Sequence, residues 1–565
     1  MKDLSEQQEK AHRPQPRLAI ALLLAVLTIG LLVATDRDIG LTWDEPAYIA
    51  ASESYVRWLG LLVRSPGTAL GGPSIEGAWK PNHEHPPLDK IWSGLVWSVA
   101  RLAMNDQTAH RLGNMLLSGM LVGLVYWTAS GRADGKDSAP GGGMIAGLAA
   151  AVALISMPRF FFHAHLAALD VPAAATILAT VCLFWGTQQR TSLRTDCWLG
   201  LVWGIALGTK INAVVVPIVL GLWVLLFRRR RYLFRRLAVM GLIGTPLSLV
   251  PWPWLYHETL PRLDEYVRFV TIDHWKIGQW YLGRIYMPPP WHFTLALAVV
   301  VVPLTLMLLA VLGIVGTMID KRLRPLGGLL VLGALIPMVL LMTAQEVYDN
   351  ERLFMPTFPF LATLAGLGFG WLVQGLRRAM SRIGKPEWSP TLAVLSAVAL
   401  LAPHLVSAGT LYPHLLSYYS ELIGGLPGAT RLGLETTYWC ETYVAALPYL
   451  NAHGGSGQTV WVQPWSFDVM TYYQLHGKLQ PGLLISWPYG ASSVFAREGA
   501  QGYLISLSEA DYVVLQFRQS GFDDEITNWL RGRTPSYMLS YQGIPLMGIY
   551  AKQGQVAVPG RGDGL

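Results

Sequence analysis

Charge is what this sequence has least of. Asp, Glu, Lys and Arg make up 14% of its 565 residues, against ~25% in ordinary globular chains. Hydrophobic residues reach 52%. That apolar mass excludes a disordered chain. The three cysteines exclude a disulfide scaffold. Cys182 and Cys197 fall in or beside apolar segments, and Cys440 stands alone in a polar region. Several catalytic signatures are missing as well. There is no HExxH, GxSxG or Walker A sequence, and no GxGxxG in a strand–helix setting. No internal repeat is visible. The class left standing is a polytopic membrane protein.

A spanning helix needs ~20 mainly apolar residues. Such stretches occur at about 18–34, 112–129, 143–158, 169–187, 196–209, 211–227, 237–255, 293–316, 326–343, 353–375 and 389–409. A shorter amphipathic stretch at 89–104 fits either a surface helix or a further span. The first segment reads as an uncleaved anchor, since more spans follow it and no small-residue cleavage site is evident.

The net charge of +7 is unevenly placed. With the N-terminus inside, the inner loops hold Arg132, Lys136, Arg190, Arg194, the run Arg228–Arg236, Lys321, Arg322, Arg324, Arg377, Arg378, Arg382 and Lys385. Few acids accompany them. This is the positive-inside pattern. An odd number of spans puts the C-terminal region outside. From about Thr410 polar residues return, with short β-like runs at 458–465, 482–487, 512–517 and 546–551 and a helix-like piece at 523–533. This predicts a small α/β domain. The expected organisation is a tail (1–17), a transmembrane catalytic domain (18–409), a junction (410–430), a soluble domain (431–558) and a flexible tail (559–565).

Five polar clusters fall on the outer side. They are TWDEPAY with Asp44 and Glu45, NHEHPPLDK with His85 and Lys90, PRFFFHAHLAALDVP with Asp170, the long loop 256–291 with His274 and Lys276, and QEVYDNER with Glu346, Asp349 and Arg352. Ionisable groups converging on one membrane face suggest a reaction centre. Each has a plainer reading. His-Pro-Pro fits a rigid turn, Asp170 before Val-Pro fits a helix start, and Lys210 can snorkel to the interface. The HEH at 83–85 and HAH at 163–165 are too compact to specify a metal.

Taken in order, the segments TWDEPAY (42–48), EHPPLDK (84–90), RLGNMLLSG (111–119), AHLAALDVPAA (164–174), LGTKINA (207–213) and YDNERLFMPTFPFLATLAGLG (348–368) resemble a known superfamily. It comprises the membrane glycosyltransferases of the GT-C fold, the protein O-mannosyltransferases and lipid A aminoarabinose transferases among them. YPHLLSYYSELIGG (412–425) with YWCE (438–441) is similar to the junction of many bacterial members, and the resemblance covers about residues 15–445. The apolar stretches and the C-terminal pattern then read as an all-α membrane domain of GT-C type with about 11–13 transmembrane helices, followed by a small extracytoplasmic α/β domain. The resemblance implies a polyprenyl-phosphate sugar as donor and an acidic pair in the first extracytoplasmic loop. Asp170 becomes a second-loop acid that orients the acceptor or a bound cation. Some relatives carry Lys at the position of His85.

Chemistry agrees with that picture. A donor anchored in the bilayer calls for a membrane enzyme with its site at the interface. Transfer to a hydroxyl needs a base, and Asp44 is the candidate. Glu45 is assigned to positioning or to a metal. The leaving phosphate needs cations, here Lys90, Lys210, Arg352, His274 and Lys276, with His85 and Asp349 also in the substrate-binding set. The residues specify no cofactor and leave metal dependence open; a divalent metal at Glu45, His85 and Asp170 is compatible with the residue types. The partners expected are the lipid-linked donor, a protein, lipid or glycan acceptor and the bilayer, but no nucleic acid. The aromatics Trp252, Trp254, Trp275, Trp280, Tyr281 and Trp291 suit an interfacial belt. The rival reading is a transporter or lipid flippase with an accessory domain; broken mid-membrane helices and repeats would mark one, and no repeat is visible.

Overall fold

The structure, a computed structural model, describes residues 16–131, 143–343, 347–382, 390–487, 493–495 and 502–552. Arg132, Lys136, Lys385, Glu346 and the C-terminal tail therefore lie outside the described residues.

Each of the predicted apolar segments is helical, because a chain in hydrocarbon must satisfy its backbone internally. Among the described residues, five helices are individually long and apolar enough to cross a membrane: Pro16–Asp38, Asp106–Ala129, Asp170–Thr187, Arg324–Leu341 and Thr357–Arg382. Leu193–Thr209 is shorter and Arg231–Leu249 carries charge, while Pro390–Leu411 is a further apolar helix of 22 residues.

Two predicted spans need correction. The stretch 293–316 is not one straight helix. It breaks into Phe293–Val301 and Leu304–Ile319, bent by 111°. Pro303 lies at the break, where it has no N–H to give and its ring obstructs the preceding turn. The stretch 237–255 ends as an α-helix at Leu249. Pro251 and Pro253 follow, and a 3₁₀ turn covers Pro253–Tyr256.

The regions read as outer loops are also structured. Helices Glu45–Arg64, Gly72–Trp79 and Leu88–Ala100 fill the segment after the anchor. Their core is aromatic, with Tyr55 stacked on Trp79 at 4.1 Å between ring centroids. The long loop 256–291 contains the amphipathic helix Thr259–Thr271 and a hairpin of β1 (Gln279–Tyr281) and β2 (Arg284–Tyr286). Its turn places Leu282 and Gly283 at positive φ, as two-residue hairpins require.

Beyond Thr410 the chain runs through buried 3₁₀ turns at Leu415–Ser417 and Glu441–Ala446. A five-stranded sheet follows, in the order β4 (Leu484–Ile485), β3 (Thr459–Gln463), β5 (Tyr512–Gln516), β7 (Ile544–Ala551), β6 (Tyr537–Tyr541). β3 runs parallel to β4 and β5, whereas β7 is antiparallel to β5 and β6. One face of this sheet shares a core with Leu41, Ile49 and Ala167 from the membrane part. The other face packs against Ile526 and Trp529.

Small residues let the membrane helices approach closely. A Cβ on Gly368 would lie 1.9 Å from the Leu309 carbonyl oxygen, and one on Gly313 would lie 1.9 Å from that of Leu364. Gly375, on the same helix as Gly368, faces open space. Gly368→Ala is expected to lower stability by about 1–3 kcal/mol, the usual cost of overpacking, and Gly375→Ala to leave it unchanged. Thermal unfolding of both variants in the same detergent checks the contrast.

Candidate active site

The first outer segment turns sharply out of the anchor helix. A 3₁₀ turn covers Asp36–Asp38, and the helix Glu45–Arg64 starts directly after Asp44, with Pro46 in its first turn. The adjacent acids of this junction separate at once. Glu45 is fully buried. Its Oε1 accepts from Arg111 Nε at 2.7 Å and its Oε2 from Arg111 Nη2 at 2.8 Å. The backbone N–H groups of Ala167 and Thr42 donate to it too. Arg111 also reaches Asp36 at 2.9 Å and the carbonyls of Ile39 and Gly40. All five of its N–H donors are thereby used.

Asp44 points elsewhere. Its side chain keeps 29% exposure and accepts from Arg352 Nη2 at 2.5 Å. Arg352 is buried and central. Its Nη1 donates to Asp349 Oδ2 at 2.8 Å, and its Nε approaches Asp170 Oδ2 at 3.4 Å. Lys210 Nζ donates to the other Asp170 oxygen at 2.5 Å. Arg518, from the exit of β5, donates to Asp349 Oδ1 at 2.9 Å. The Arg352 guanidinium also lies 4.1 Å from the centroid of the Trp439 ring, a cation–π contact. Three carboxylates thus alternate with three cations.

Helix ends build this cluster. Asp170 opens Asp170–Thr187, Lys210 follows the last turn of Leu193–Thr209, and Arg352 sits in the 3₁₀ turn Asn350–Phe354 ahead of Thr357–Arg382. Asp349 and Asn350 both adopt positive φ, 51° and 54°, which Asn and Asp tolerate better than most residues.

The remaining candidates fall into two groups. His85 borders the cluster through Tyr48, with ring centroids 6.2 Å apart, and through Phe269. His274 bonds the Tyr348 hydroxyl at 3.3 Å and packs on Phe269. Lys90 is buried, and its ammonium donates to the Asn82 carbonyl, the Asn82 side chain and the His85 carbonyl. That fixes the His-Pro-Pro loop and uses all three ammonium donors. Lys276 is exposed on the strand-proximal loop. Sequence reasoning passed over Arg111, Trp439 and Arg518. Arg111 had a signal, as a lone cation inside an otherwise apolar helix.

A cavity of about 410 Å³ lies between the His-Pro-Pro loop and the helix Thr259–Thr271, and Phe269 in its wall packs on His85 and His274. His83, Glu84, Trp254, Tyr266, Phe269 and Trp275 help to line it. Two of the proposed belt aromatics therefore line a cavity, while Trp291 is exposed.

The electrostatics follow from burial. Burial pushes the Asp44 carboxyl up, against the pull of Arg352. Burial, then Lys90 and Lys210, drives His85 well below its ordinary value, so its imidazole is neutral. Burial opposes the Arg352 charge, but Asp44, Asp170 and Asp349 outweigh it and hold the guanidinium firmly protonated. For a metal the geometry is poor: the Glu45 oxygens serve Arg111, and those of Asp170 serve Lys210 and Arg352. Among the described residues, no three His, Cys, Asp or Glu side chains gather in a metal-binding arrangement.

The family model for dolichyl-phosphate-mannose-protein mannosyltransferase matches residues 98–267. The structure is similar to that of ArnT from Cupriavidus metallidurans in the apo state, with a TM-score of 0.52 and 15% identity over 95% of this chain and 98% of that one. The fold is that of the GT-C membrane glycosyltransferases. The same ArnT bound to undecaprenyl phosphate aligns with a TM-score of 0.50 and 15% identity, over 93% and 97% of the two chains. The Archaeoglobus fulgidus oligosaccharyltransferase is more distant, with a TM-score of 0.46 and 12% identity over 95% and 74%. No curated protein matches the sequence. The fold is the one that the sequence resemblance implied, and the family model falls within the stretch that carries that resemblance.

The two neighbouring acids should behave oppositely as variants. Glu45→Ala strands the buried Arg111, and breaking a buried pair costs about 3–5 kcal/mol, so poor extraction and a lowered thermal midpoint are expected. Asp44→Asn keeps the shape at a partly open position and should unfold within a few degrees of wild type. Size-exclusion profiles and thermal melts in detergent decide between these outcomes.

Proposed function

We propose that this chain transfers a sugar from a polyprenyl-phosphate donor to an acceptor hydroxyl at the extracytoplasmic face of the cell membrane. Asp44 is the general base, and Arg352 and Lys210 hold the donor phosphate. The observation that carries this reading is the direct 2.5 Å contact between Arg352 and Asp44. A phosphate on the cation and an acceptor at the carboxylate are then neighbours, which displacement at the sugar requires. The solved ArnT complex with undecaprenyl phosphate supports the donor class.

The step is simple. The acceptor oxygen attacks the anomeric carbon, the bond from that carbon to the phosphate oxygen breaks, and the acceptor's proton passes to Asp44. Polyprenyl phosphate leaves carrying the electron pair. Its growing negative charge strengthens contacts to Arg352 and Lys210, which makes those contacts catalytic as well as adhesive. Asp170 and Asp349 orient the two cations. Glu45 and Lys90 position the loops that carry Asp44 and His85. Neutral His85 serves as a hydrogen-bonding group, and His274, bonded to the Tyr348 hydroxyl, is a further member of the phosphate-binding set. Lys276, exposed beyond the cluster, is the weakest member of the phosphate set. The acceptor is a hydroxyl-bearing protein, lipid or glycan.

Asp44→Asn should reduce transfer by ~10²–10⁴-fold, the usual worth of a positioned base, while binding of a non-transferable polyprenyl-phosphate analogue persists. The pH profile is a sharper test. Asp44 acts only when ionised and its folded value is raised. Turnover should therefore fall as pH drops through a limb lying above ~4, the ordinary aspartate value. Arg352→Lys weakens the pairing that lowers that value, so it should move the limb higher. A limb at or below ~4 would remove Asp44 from the role.

Orientation rests on the rim opposite the cluster. Asp196 there pairs with Arg235 and Arg236; Arg228 follows the end of one helix, Arg322 and Arg324 lie at the start of another, and Arg377 and Arg378 lie in the last turns of Thr357–Arg382. Reporter fusions after Arg231 and Arg378 are expected to read cytoplasmic. Fusions after Glu45, His274 and Gly454 are expected to read extracytoplasmic. A cytoplasmic signal at Glu45 overturns the assigned face.

A further inference from the structure

We infer that the C-terminal sheet domain is part of the reaction centre, and that Arg518 is a positioning residue for the donor-phosphate site, acting through Asp349 on Arg352. This rests on the donor-site reading above.

The sheet aims its functional end at the membrane cluster. β3 and β5 are neighbouring parallel strands. Loops and ligands meet at the carboxyl ends of such strands. At the carboxyl end of β5 sit Gln516, fully buried, and Arg518, 4% exposed. Neither belongs to the membrane helices.

Gln516 holds one side of the centre. Its Oε1 accepts from the Cys440 N–H at 3.0 Å, and its Nε2 donates to Thr442 at 3.1 Å and to the Tyr438 carbonyl at 3.3 Å. This amide clamps a backbone turn in which Trp439 and Cys440 both take positive φ, 67° and 66°. The Trp439 ring lies against the Arg352 guanidinium, and its carbonyl accepts from the Trp43 N–H at 3.0 Å, next to Asp44. One strand end thus steadies the phosphate cation and the loop of the base together.

Arg518 holds the other side. Asp349 accepts from Arg352 on one oxygen and from Arg518 on the other. Without Arg518, the Asp349 carboxylate has Arg352 as its sole cation and draws it more strongly. Arg352 then yields less to a phosphate and less to Asp44. Ser520 and Glu435 locate Arg518 in turn: its Nε donates to Ser520 Oγ at 3.0 Å, and the Ser520 N–H donates to Glu435.

The test uses the purified full chain in nanodiscs with undecaprenyl phosphate as the probe, and the acidic limb of turnover as a second readout. Arg518→Gln should weaken binding about tenfold and move the acidic limb upward, since Asp44 loses part of its cation. Arg518→Lys should recover most of both, because the point charge survives. In an Asp349→Asn background, Arg518→Gln should change affinity by less than about twofold, the mark of residues acting in one chain. Wild-type affinity and an unmoved limb in Arg518→Gln overturn the inference and leave the donor site standing. Equal losses in the Gln and Lys variants, or equal effects in both backgrounds, reduce Arg518 to a folding role. A wild type that does not bind undecaprenyl phosphate overturns the donor-site reading and this inference together.

Discussion

A guanidinium buried among three carboxylates is the constraint around which this molecule is arranged. Arg352 cannot leave water without compensation, because burying an ion costs several kcal/mol even after relaxation. Asp44, Asp349 and Asp170 supply that compensation. Those acids are buried or half-buried in turn, and Lys210 and Arg518 balance the excess. No single chain segment can deliver six such groups. They arrive from the anchor exit, the ends of three other helices and a strand of the sheet domain. The packing of the helices at the glycine contacts is therefore a condition for the chemistry, since a shift of one helix end displaces one charge in a balanced set.

Asp44 and Glu45 show how environment separates two neighbouring acids. Both are carboxylates at the start of one helix. Glu45 meets a bidentate arginine and two backbone N–H groups, which satisfy its oxygens and fix it. Asp44 meets a single guanidinium edge and an opening. A carboxylate with one cation partner and partial exposure can exchange that partner for a proton. One with every lone pair engaged in the interior cannot give up a partner cheaply. The proposed assignment of base to the first and scaffold to the second rests on these contacts.

Much of this was legible in the sequence. Long apolar runs declared the spans, and the ionisable residues at their ends, Asp44, Asp170, Lys210 and Arg352, declared the cluster, because charge near hydrocarbon is too costly to be idle. Four of the five strands of the sheet were legible from their β-branched and aromatic runs. Other features were not. The helix Glu45–Arg64 is too polar to look like a span and too short of turn residues to look like a loop. The bend at Pro303 sits inside unbroken hydrophobicity, so composition conceals it. Lys90 and Lys276 look equivalent on paper, yet one is buried against three oxygens and the other is exposed. Arg518 lies far from the membrane motifs in sequence, and only the parallel pairing of β3 with β5 directs it at Asp349.

The 3₁₀ turn Asn350–Phe354 joins the two halves of the argument. Successive residues of such a turn point about 120° apart, so Glu351 and Arg352 cannot face the same way. Arg352 faces the reaction centre. Glu351 faces the junction, where it accepts from Arg159 and from the Tyr438 hydroxyl. Arg159 donates onward to the Tyr418 carbonyl, and burial of Glu351 is outweighed by Arg159 and His163, which hold its carboxyl below the ordinary range. The next residue after Tyr438 is Trp439, back against Arg352. The junction is thus a closed loop of contacts that begins and ends on adjacent residues of one turn. A segment so tied to the membrane helices is not a tether. It transmits the position of the sheet domain to the site, which is why a residue on β5's exit can bear on chemistry at a helix end.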